Sequence, residues 1–300
     1  MKKDTASKTA QYMALYRALE TRRPKGRRLF TDPYAIHFLD RGYRLACRLS
    51  AFPPAERLFY YLIQRRIPGA LASGLARTRL IDDLLELSIR EGARQVIILG
   101  AGFDSRNLRL ASLQKLPVVE IDHPDTARRK LKILKAHMSS FPSNTRYLSI
   151  DFNQQSLEEL FRQQHVDLSV PTALIWEGVT NYLHREAINA VFALAGSMAK
   201  GSSVIFTYID RMVLEYPAAF FGAERLIRDL DDIEERWTFG FCPEELPSYL
   251  DSCGMILKED KGAAEYRQQY LPERKSILKG YEFYRVARAI ILPSASHPDL

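Results

Sequence analysis

Short runs of apolar, largely β-branched residues recur along the chain after position 95, separated by stretches with helical periodicity. Because these runs are apolar almost without alternation, they are typical of strands buried on both faces of a parallel sheet. Five strands are predicted in this way: Gln95–Gly100, Val118–Asp122, Arg146–Asp151, Ala173–Glu177 and Ser203–Tyr208. Helices are predicted at Thr126–Ser139, Gln155–Gln164 and Arg185–Ala199. Strands alternating with helices indicate βαβ units and a doubly wound α/β fold.

The last third of the chain departs from this alternation. Met255–Lys258 and Phe283–Leu292 have the composition of a sixth and a seventh strand, but residues 261–280 between them are polar and broken by Gly262, Pro272 and Gly280. Since no clear crossover helix joins the two strands, the pattern allows an antiparallel last strand. We therefore expect a seven-stranded, mostly parallel sheet.

Two segments, residues 1–94 and 211–237, carry only helical patterns. Ligands of open α/β sheets bind outside the carboxyl ends of the strands, and added helices at that edge could form a lid. We expect a single domain over residues 1–300. In it, residues 1–94 form a helical cap, 95–210 the cofactor-binding core, 211–245 a helical insert and 246–300 the last strands.

The composition, with 46% hydrophobic and 26% charged residues, is that of an ordinary globular protein. The three cysteines fit no metal spacing, and we expect no metal site. The N-terminus lacks the apolar region of a signal peptide, and no apolar run approaches the roughly 18 residues of a membrane span. The net charge is +7, but no nucleic-acid-binding module is recognisable. These features predict a cytoplasmic protein with neither a nucleic-acid nor a membrane partner.

The candidate chemistry begins at a glycine turn. Gly100 and Gly102 end the first predicted strand, where they allow a ligand to approach the backbone closely. Asp122 ends the second strand, where a carboxylate can accept both hydroxyls of a ribose. The same aspartate could instead cap the helix that begins near Pro124. Either role, or both, fits the pattern.

The residues after the glycine turn discriminate between cofactors. The third glycine of the dinucleotide fingerprint would fall at Ser105, and Phe103 and Asp104 crowd the position of a pyrophosphate. S-adenosylmethionine has a ribose but no phosphates. The interrupted fingerprint and the antiparallel last strand therefore favour S-adenosylmethionine over a nicotinamide cofactor.

Five motifs in order extend this interpretation: ARTRLIDDLL, QVIILGAGFDSRNLRL, VVEIDHP, RYLSIDF and IWEGVTNYL. Together they resemble the leucine carboxyl methyltransferase family, above all its bacterial branch of class I S-adenosylmethionine-dependent O-methyltransferases. The resemblance covers about residues 9–210 and returns in the last two strands. It implies a Rossmann-like class I methyltransferase fold.

The resemblance also implies roles for single residues. Arg77, or else its neighbour Arg79, would hold the carboxylate of the cofactor, because a guanidinium can grip a carboxylate with two parallel hydrogen bonds. The glycine turn would pass the cofactor's backbone, and Asp122 would take the ribose. Asp151 and Phe152 match the pair that brackets the adenine, with phenylalanine in place of the family's leucine.

At the reacting end, Glu177 corresponds to a residue near the cofactor's amino-acid portion, and Tyr182 to the tyrosine near the substrate or the methyl group. Arg17 is a further candidate for positioning the substrate. The expected acceptor is a carboxylate, of a small molecule rather than of a protein terminus. A carboxylate is already ionised at neutral pH, so no general base is expected.

Three other functions stay open. Methylation of a phenol or alcohol would need a base, for which His123, His184 and Glu177 are the candidates. A catalytically silent methyltransferase fold would serve only in binding, and a nicotinamide-dependent oxidoreductase ranks last. The acceptor pocket is expected in residues 41–76 and 211–245, whose aromatic side chains suit a bulky apolar acid but could equally pack the lid. These aromatic residues are Phe52, Phe59, Tyr60, Tyr61, Phe220, Phe221, Trp237 and Phe239.

Overall fold

The computed structural model describes residues 8–152, 154–232, 235–272 and 279–291, and its centre is one seven-stranded sheet. The strands are β1 (Gln95–Leu99), β2 (Val118–Asp122), β3 (Thr145–Ser149), β4 (Thr172–Trp176), β5 (Ser203–Ile209), β6 (Met255–Gly262) and β7 (Tyr284–Ile291). They lie in the order β3-β2-β1-β4-β5-β7-β6. β1 to β5 are parallel, whereas β7 is antiparallel to both β5 and β6. The predicted mostly parallel sheet with an antiparallel last strand is confirmed.

Twelve α-helices of the described residues surround the sheet. They are α1 (Lys8–Arg22), α2 (Arg41–Leu49), α3 (Pro53–Arg66), α4 (Ala70–Arg90), α5 (Arg106–Arg109), α6 (Pro124–His137), α7 (Leu157–Gln163), α8 (Arg185–Gly196), α9 (Met212–Glu215), α10 (Ala223–Asp232), α11 (Leu246–Ser252) and α12 (Ala263–Tyr270). None of them is long and apolar enough to cross a lipid bilayer. The first four precede β1, and α9 and α10 lie between β5 and β6, as the helical patterns predict.

Helices pack on both faces of the sheet because successive side chains of each strand point to opposite sides. On β1, Ile97 and Leu99 pack into one cluster with Phe192 of α8. Val96 and Ile98 face the other side and pack into a second cluster that includes Leu80 of α4. Both faces of the central strands are therefore buried, which explains their uninterrupted apolar sequences.

Residues 256–270 differ most from the sequence-based expectation. β6 continues beyond Lys258 to Gly262, and helix α12 follows within the segment that the sequence presents as polar and broken. β6 lies at the edge of the sheet, where charged side chains are common, and Asp260 pairs with Arg285 of β7 at 3.0 Å. The Glu265 side chain accepts a hydrogen bond from the Gly262 N–H at 2.6 Å and so caps α12. The predicted end of the seventh strand, Leu292, lies outside the described residues.

The strand order reverses at the centre of the sheet, between β1 and β4. β2 and β3 lie on one side of β1, and β4 and β5 lie on the other. A crevice at the carboxyl ends of the strands is expected at this switch in strand order. The glycine turn after β1 and Glu177 after β4 both lie at this point.

Candidate functional site

A cavity of about 750 Å³ opens at the carboxyl ends of the central strands. Its volume lies in the range of about 300–1,000 Å³ that is usual for small-molecule sites. The sheet edge contributes Gly100, Gly102, Asp122, Asp151, Phe152 and Glu177 to its wall. Side chains from α1, α4, α10 and the end of α3 complete the wall. The structure thus brings most of the sequence-predicted site residues together around one space.

The glycine turn has a backbone that other residues would not adopt without strain. Gly100 has a φ of +62° and Gly102 a φ of +47°. A Cβ atom on Gly100 would lie 2.1 Å from the Cγ2 atom of Val179, and one on Gly102 would lie 3.9 Å from a carboxylate oxygen of Asp122. The lack of side chains at both positions therefore keeps the backbone of the turn accessible from the cavity.

Asp122 links the ends of β1 and β2. Its carboxylate accepts hydrogen bonds from the N–H groups of Gly102 and His123, the latter at 2.6 Å. Burial raises the pKa of Asp122, and the two N–H groups oppose this increase. The cap of α6 is made by the side chain of His123, which accepts from the N–H of Asp125 at 3.3 Å. Asp122 therefore lies on the cavity wall, and the side chain of the next residue does the capping.

Arg77 and Glu177 form a buried ion pair beside this turn. The Nε atom of Arg77, on α4, donates to a Glu177 oxygen at 2.9 Å. The other Glu177 oxygen lies 2.9 Å from the guanidinium of Arg106. The Arg77 guanidinium also lies over the ring of Tyr284, 4.6 Å from its centroid. Burial raises the pKa of Glu177, but the two arginines outweigh it, so the pKa is lowered and the side chain stays ionised.

A second layer of charges holds Arg106 behind the pair. Its Nε atom donates to Asp82 of α4 at 2.8 Å, and its guanidinium also pairs with Asp104. Arg109 donates to both Asp82 oxygens at 2.7 Å. Because each of these buried groups has a partner of opposite charge, the network fixes Glu177 from the side away from the cavity.

The structure does not bring Arg79 to the cavity. Its side chain is 42% exposed, pairs with Asp83 at 3.0 Å and donates to the carbonyl of Leu29 at 2.8 Å. Two residues along a helix amount to a rotation of about 200°, so Arg79 leaves α4 on nearly the opposite side from Arg77. Of the two arginines that the sequence offers, Arg77 lies on the cavity wall and Arg79 does not.

Tyr182 lies on the cavity wall among residues of the lid. Its hydroxyl oxygen is 3.4 Å from that of Thr9 on α1, and the Thr9 hydroxyl donates to Glu235 at 2.5 Å. Burial raises the pKa of Tyr182 to about 12, and the charge of Glu235 adds to this increase. Tyr182 is therefore protonated at neutral pH, and because Thr9 gives its only hydroxyl proton to Glu235, Tyr182 is the donor in its 3.4 Å contact with Thr9.

Arg17 also lines the cavity, but its hydrogen-bonding capacity is largely used within the protein. Its Nε atom donates to Asp32 at 2.8 Å, and its terminal nitrogen donates to the Phe103 carbonyl. Asp32 accepts a further hydrogen bond from Ser105 at 2.6 Å. These contacts tie α1 to the loop after β1, so Arg17 supports the turn from outside the cavity's centre.

Sequence reasoning missed several residues on the cavity wall and overestimated others. Glu235 and the tyrosines Tyr12, Tyr16, Tyr281 and Tyr284 line the cavity although no motif singles them out. Of the eight aromatic residues considered for the acceptor pocket, Trp237 alone is on the wall as the structure describes it. Phe52, Tyr61 and Phe221 are exposed instead. Lid residues of this kind come together only through tertiary packing, so local sequence patterns do not predict which of them line the cavity.

The strand order, the antiparallel seventh strand, the glycine turn after β1 and the acid at the end of β2 define the class I methyltransferase fold. The chain belongs to the leucine carboxyl methyltransferase family, which it matches over residues 10–195. A Streptomyces coelicolor protein assigned by name to the S-adenosyl-L-methionine-dependent methyltransferases is 33% identical over 213 residues, 70% of this chain and 72% of that protein. A Frankia alni protein with the same assignment is 31% identical over 208 residues, 69% of this chain and 70% of its own length.

A solved structure shows the same fold at lower sequence identity. A crystal structure from Thermobifida fusca, assigned by name to the methyltransferases, superposes with a TM-score of 0.59 at 18% identity. The superposition covers 87% of this chain and 93% of that one. The likeness therefore extends beyond residues 10–195, which the family match covers.

Proposed function

We propose that this protein is an S-adenosylmethionine-dependent O-methyltransferase whose acceptor is a carboxylate. The observation that carries the proposal is the buried pair of Arg77 and Glu177, which lies on the cavity wall with the glycine turn and Asp122. A positive and a negative group side by side match the carboxylate and the ammonium of an amino acid. The names of the Streptomyces and Frankia relatives support the same cofactor.

The residues on the wall fit the parts of this cofactor in sequence. Arg77 would hold the α-carboxylate and Glu177 the α-ammonium group. Gly100 and Gly102 would let the cofactor lie close to the backbone of the turn, and Asp122 would accept hydrogen bonds from the ribose hydroxyls. Asp151 and Phe152 would flank the adenine, with the phenyl ring as an apolar wall.

The chain's own part in the reaction is to bind, orient and exclude water. Bound S-adenosylmethionine supplies an electrophilic methyl group. Holding a reactant oxygen in line with it can contribute on the order of 7–11 kcal/mol. Tyr182 would donate to the acceptor in place of its long contact with Thr9. The apolar residues Ile67, Leu226 and Leu230 on the wall suit an acid with a bulky apolar body. The volume of about 750 Å³ is in the range of small-molecule sites and supports a small molecule over a protein terminus as the acceptor.

The side chains proposed as bases for phenol methylation are poorly suited to that role. Glu177 is held by two arginines that lower its pKa, and the imidazole of His123 accepts the N–H of Asp125. His184 precedes α8 and is not on the cavity wall. A carboxylate needs no base because its reference pKa is about 4. Glu235 is the acid on the wall that would serve a phenol substrate, and it separates the two reactions experimentally.

The lid segments are proposed to form one catalytic unit, over residues 1–300, with the core of residues 95–210. Thr9 of the N-terminal cap donates to Glu235 of the insert, and Arg66 at the end of α3 pairs with Asp229 of α10 at 2.9 Å. The cap of residues 1–94 and the insert of residues 211–245 thus contact each other over the cavity. The last strands, in residues 246–300, complete the sheet beneath it.

The decisive experiment screens carboxylic acids and phenols with S-adenosylmethionine and detects S-adenosylhomocysteine. The expected product is a methyl ester, which mild alkali cleaves. The rate should be nearly constant from about pH 6 to 9, because the acceptor's pKa lies well below that window. Glu235→Gln retains an acceptor for Thr9 and should leave the rate within about twofold. An alkali-stable product, a rate that rises near neutral pH and a large loss in Glu235→Gln would refute carboxyl methylation.

A further inference from the structure

The outer surface of α2 and α3 combines exposed apolar side chains with arginines. Of the ten large hydrophobic residues that are exposed in the described part of the chain, six lie on these two helices and the turn between them. They are Leu45, Leu49, Phe52, Leu58, Tyr61 and Leu62, each between 45% and 65% exposed. We call these six residues, with the exposed Arg41, Arg48, Arg57 and Arg65, the α2–α3 face.

The packing of α2 and α3 does not account for this surface. On the inner side, Cys47 is fully buried, and Tyr60 and Ile63 pack against clusters that contain α1 and α4. The apolar residues of the α2–α3 face are additional to these inner contacts and lie on the opposite side of the helices. Contiguous exposed apolar surface rimmed by polar residues marks interaction sites in globular proteins.

The charge of the segment identifies the kind of partner. Residues 41–66 contain six arginines and one acidic residue, Glu56. A symmetric contact between two copies would bring the same surface of each together, arginine against arginine. The partner must therefore be anionic as well as apolar.

We propose that the α2–α3 face docks on an anionic lipid bilayer. Leucine and aromatic side chains on an amphipathic helix enter the boundary between headgroups and acyl chains, while arginines at the same level reach the phosphates. Tyr61 and Arg65 show this combination directly, since the guanidinium lies 5.8 Å from the centroid of the tyrosine ring. An acidic protein surface would meet the arginines but not the apolar residues that alternate with them.

The position of the face relative to the cavity is consistent with a lipophilic substrate. α3 ends at Arg66, and Arg66 and Ile67 are both on the cavity wall. Phe221 is also exposed, and the next residue, Gly222, lies beside Pro68. A Cβ atom added to Gly222 would be 3.3 Å from the Pro68 side chain. The docked surface would thus continue to the edge of the cavity. This docking is peripheral, so it agrees with the finding that no described helix could span the bilayer. It departs from the sequence-based expectation that the protein has no membrane partner, because the exposed apolar face is visible only in the fold.

The test is co-sedimentation of the full chain with vesicles of equal parts phosphatidylcholine and phosphatidylglycerol, and with vesicles of phosphatidylcholine alone. We expect binding to the anionic vesicles that weakens as salt screens the charges. Replacing Arg41, Arg48 and Arg57 by Gln should lower the partition constant about fivefold for each arginine and roughly a hundredfold together. Replacing Leu58, Tyr61 and Leu62 by Ser should lower it by roughly tenfold or more.

A matched control carries the same loss of three charges elsewhere. Arg90, Arg128 and Arg162 are exposed and outside the face, so replacing them by Gln should have a much smaller effect on vesicle binding. Circular dichroism melting of every variant reports whether the fold is retained, and it does not depend on the proposed enzymatic function. Equal losses in the control and the arginine variant would overturn the proposal in favour of diffuse attraction. The docking proposal is overturned outright if the unaltered chain fails to bind anionic vesicles. Light scattering would then show whether the α2–α3 face instead forms a dimer or the chain is a monomer.

Discussion

Replacing Arg77 by Met tests the central feature of the site, the ion pair with Glu177. The guanidinium of Arg77 is buried and bonds one carboxylate oxygen of Glu177 at 2.9 Å. Met matches the side chain of Arg as far as Nε, fills most of the space of its stem and removes the charge. The substitution therefore separates the contribution of charge from that of packing.

The cost to stability depends on the partners that Glu177 retains. Leaving a buried charge without any partner costs about 3–5 kcal/mol. Glu177 keeps Arg106 at 2.9 Å on its other oxygen, so we expect a loss of only about 1–3 kcal/mol in the free energy of unfolding. We expect the loss in the free energy of cofactor binding to be larger than this loss of stability. One or two charged hydrogen bonds to the cofactor, each worth about 1.5–3 kcal/mol, disappear. A total loss of about 1.5–6 kcal/mol corresponds to a Kd raised by about tenfold for one weak bond and up to about ten-thousandfold for two strong ones.

Calorimetry with S-adenosylhomocysteine measures the Kd, and urea unfolding measures stability. Arg79→Met is the matched control, because it removes the same side chain two residues away on α4. That side chain is partly exposed and pairs with Asp83 one helical turn on, which predicts a change in stability below about 1 kcal/mol and an unchanged Kd. Normal affinity in Arg77→Met would show that Arg77 has only a structural role. An equal loss of affinity in Arg79→Met would refute the assignment of Arg77.

Three further substitutions test other parts of the site. Asp122→Asn keeps the shape of the side chain and one acceptor oxygen but loses the charge. Calorimetry should therefore give an at least tenfold higher Kd for S-adenosylhomocysteine, with the fold retained. An unchanged Kd would exclude a role for Asp122 in binding the ribose. Gly100→Ala should lower the free energy of unfolding by at least about 1 kcal/mol, because Gly100 has a positive φ and a Cβ there would clash with Val179. Adding Val179→Ala should relieve the clash but not the backbone strain. Full recovery of stability in the double variant would contradict a role for φ. Burial raises the pKa of Asp104, but the charges of Arg106 and Lys130 and the hydrogen bond from the Arg106 N–H together outweigh it and lower the pKa to about 2. The stabilising contribution of Asp104 is therefore present above the unfolded pKa of about 3.9 and is lost as the pH falls towards 2. Asp104→Asn should accordingly flatten the acid limb of a urea-unfolding series, and the same slope in both proteins would refute this source of acid sensitivity.

Much of the fold follows from the sequence because strands buried on both faces have a distinctive composition. β1, β2 and β5 begin where the apolar runs predict, since nearly every residue in them is buried. β6 is different, because it lies at the sheet edge and only two of its eight residues, Met255 and Gly262, are buried. Its charged second half therefore resembles a loop in sequence, and pairing with β7 decides its extent. The predicted antiparallel last strand is confirmed, although the helix α12 between the two strands was missed.

The site was predictable where it depends on the ends of strands. Gly100, Asp122 and Glu177 each follow a strand of the parallel sheet, so the topology alone brings them to one edge. Glu235 and Trp237 come from the insert, about 60 residues along the chain from β4, and their approach to Tyr182 depends on how the lid packs. The choice between Arg77 and Arg79 depends on the rotation of α4, which the alternation of apolar residues does not fix well enough to decide between neighbours.

The pairing of Arg77 with Glu177 suggests how a buried site can keep two opposite charges ready for a zwitterion. Each side chain alone would be costly to bury, but bonded to each other they satisfy both charges. In the proposed binding mode, the carboxylate and ammonium of the cofactor meet the same two groups, so every charge gains a partner and none loses one. Arg106, anchored by Asp82, holds the far oxygen of Glu177 throughout and limits the rearrangement to the cavity side. The network behind the pair therefore favours a ligand with both charges over one that carries only a carboxylate, because the latter would compete with Glu177 for Arg77.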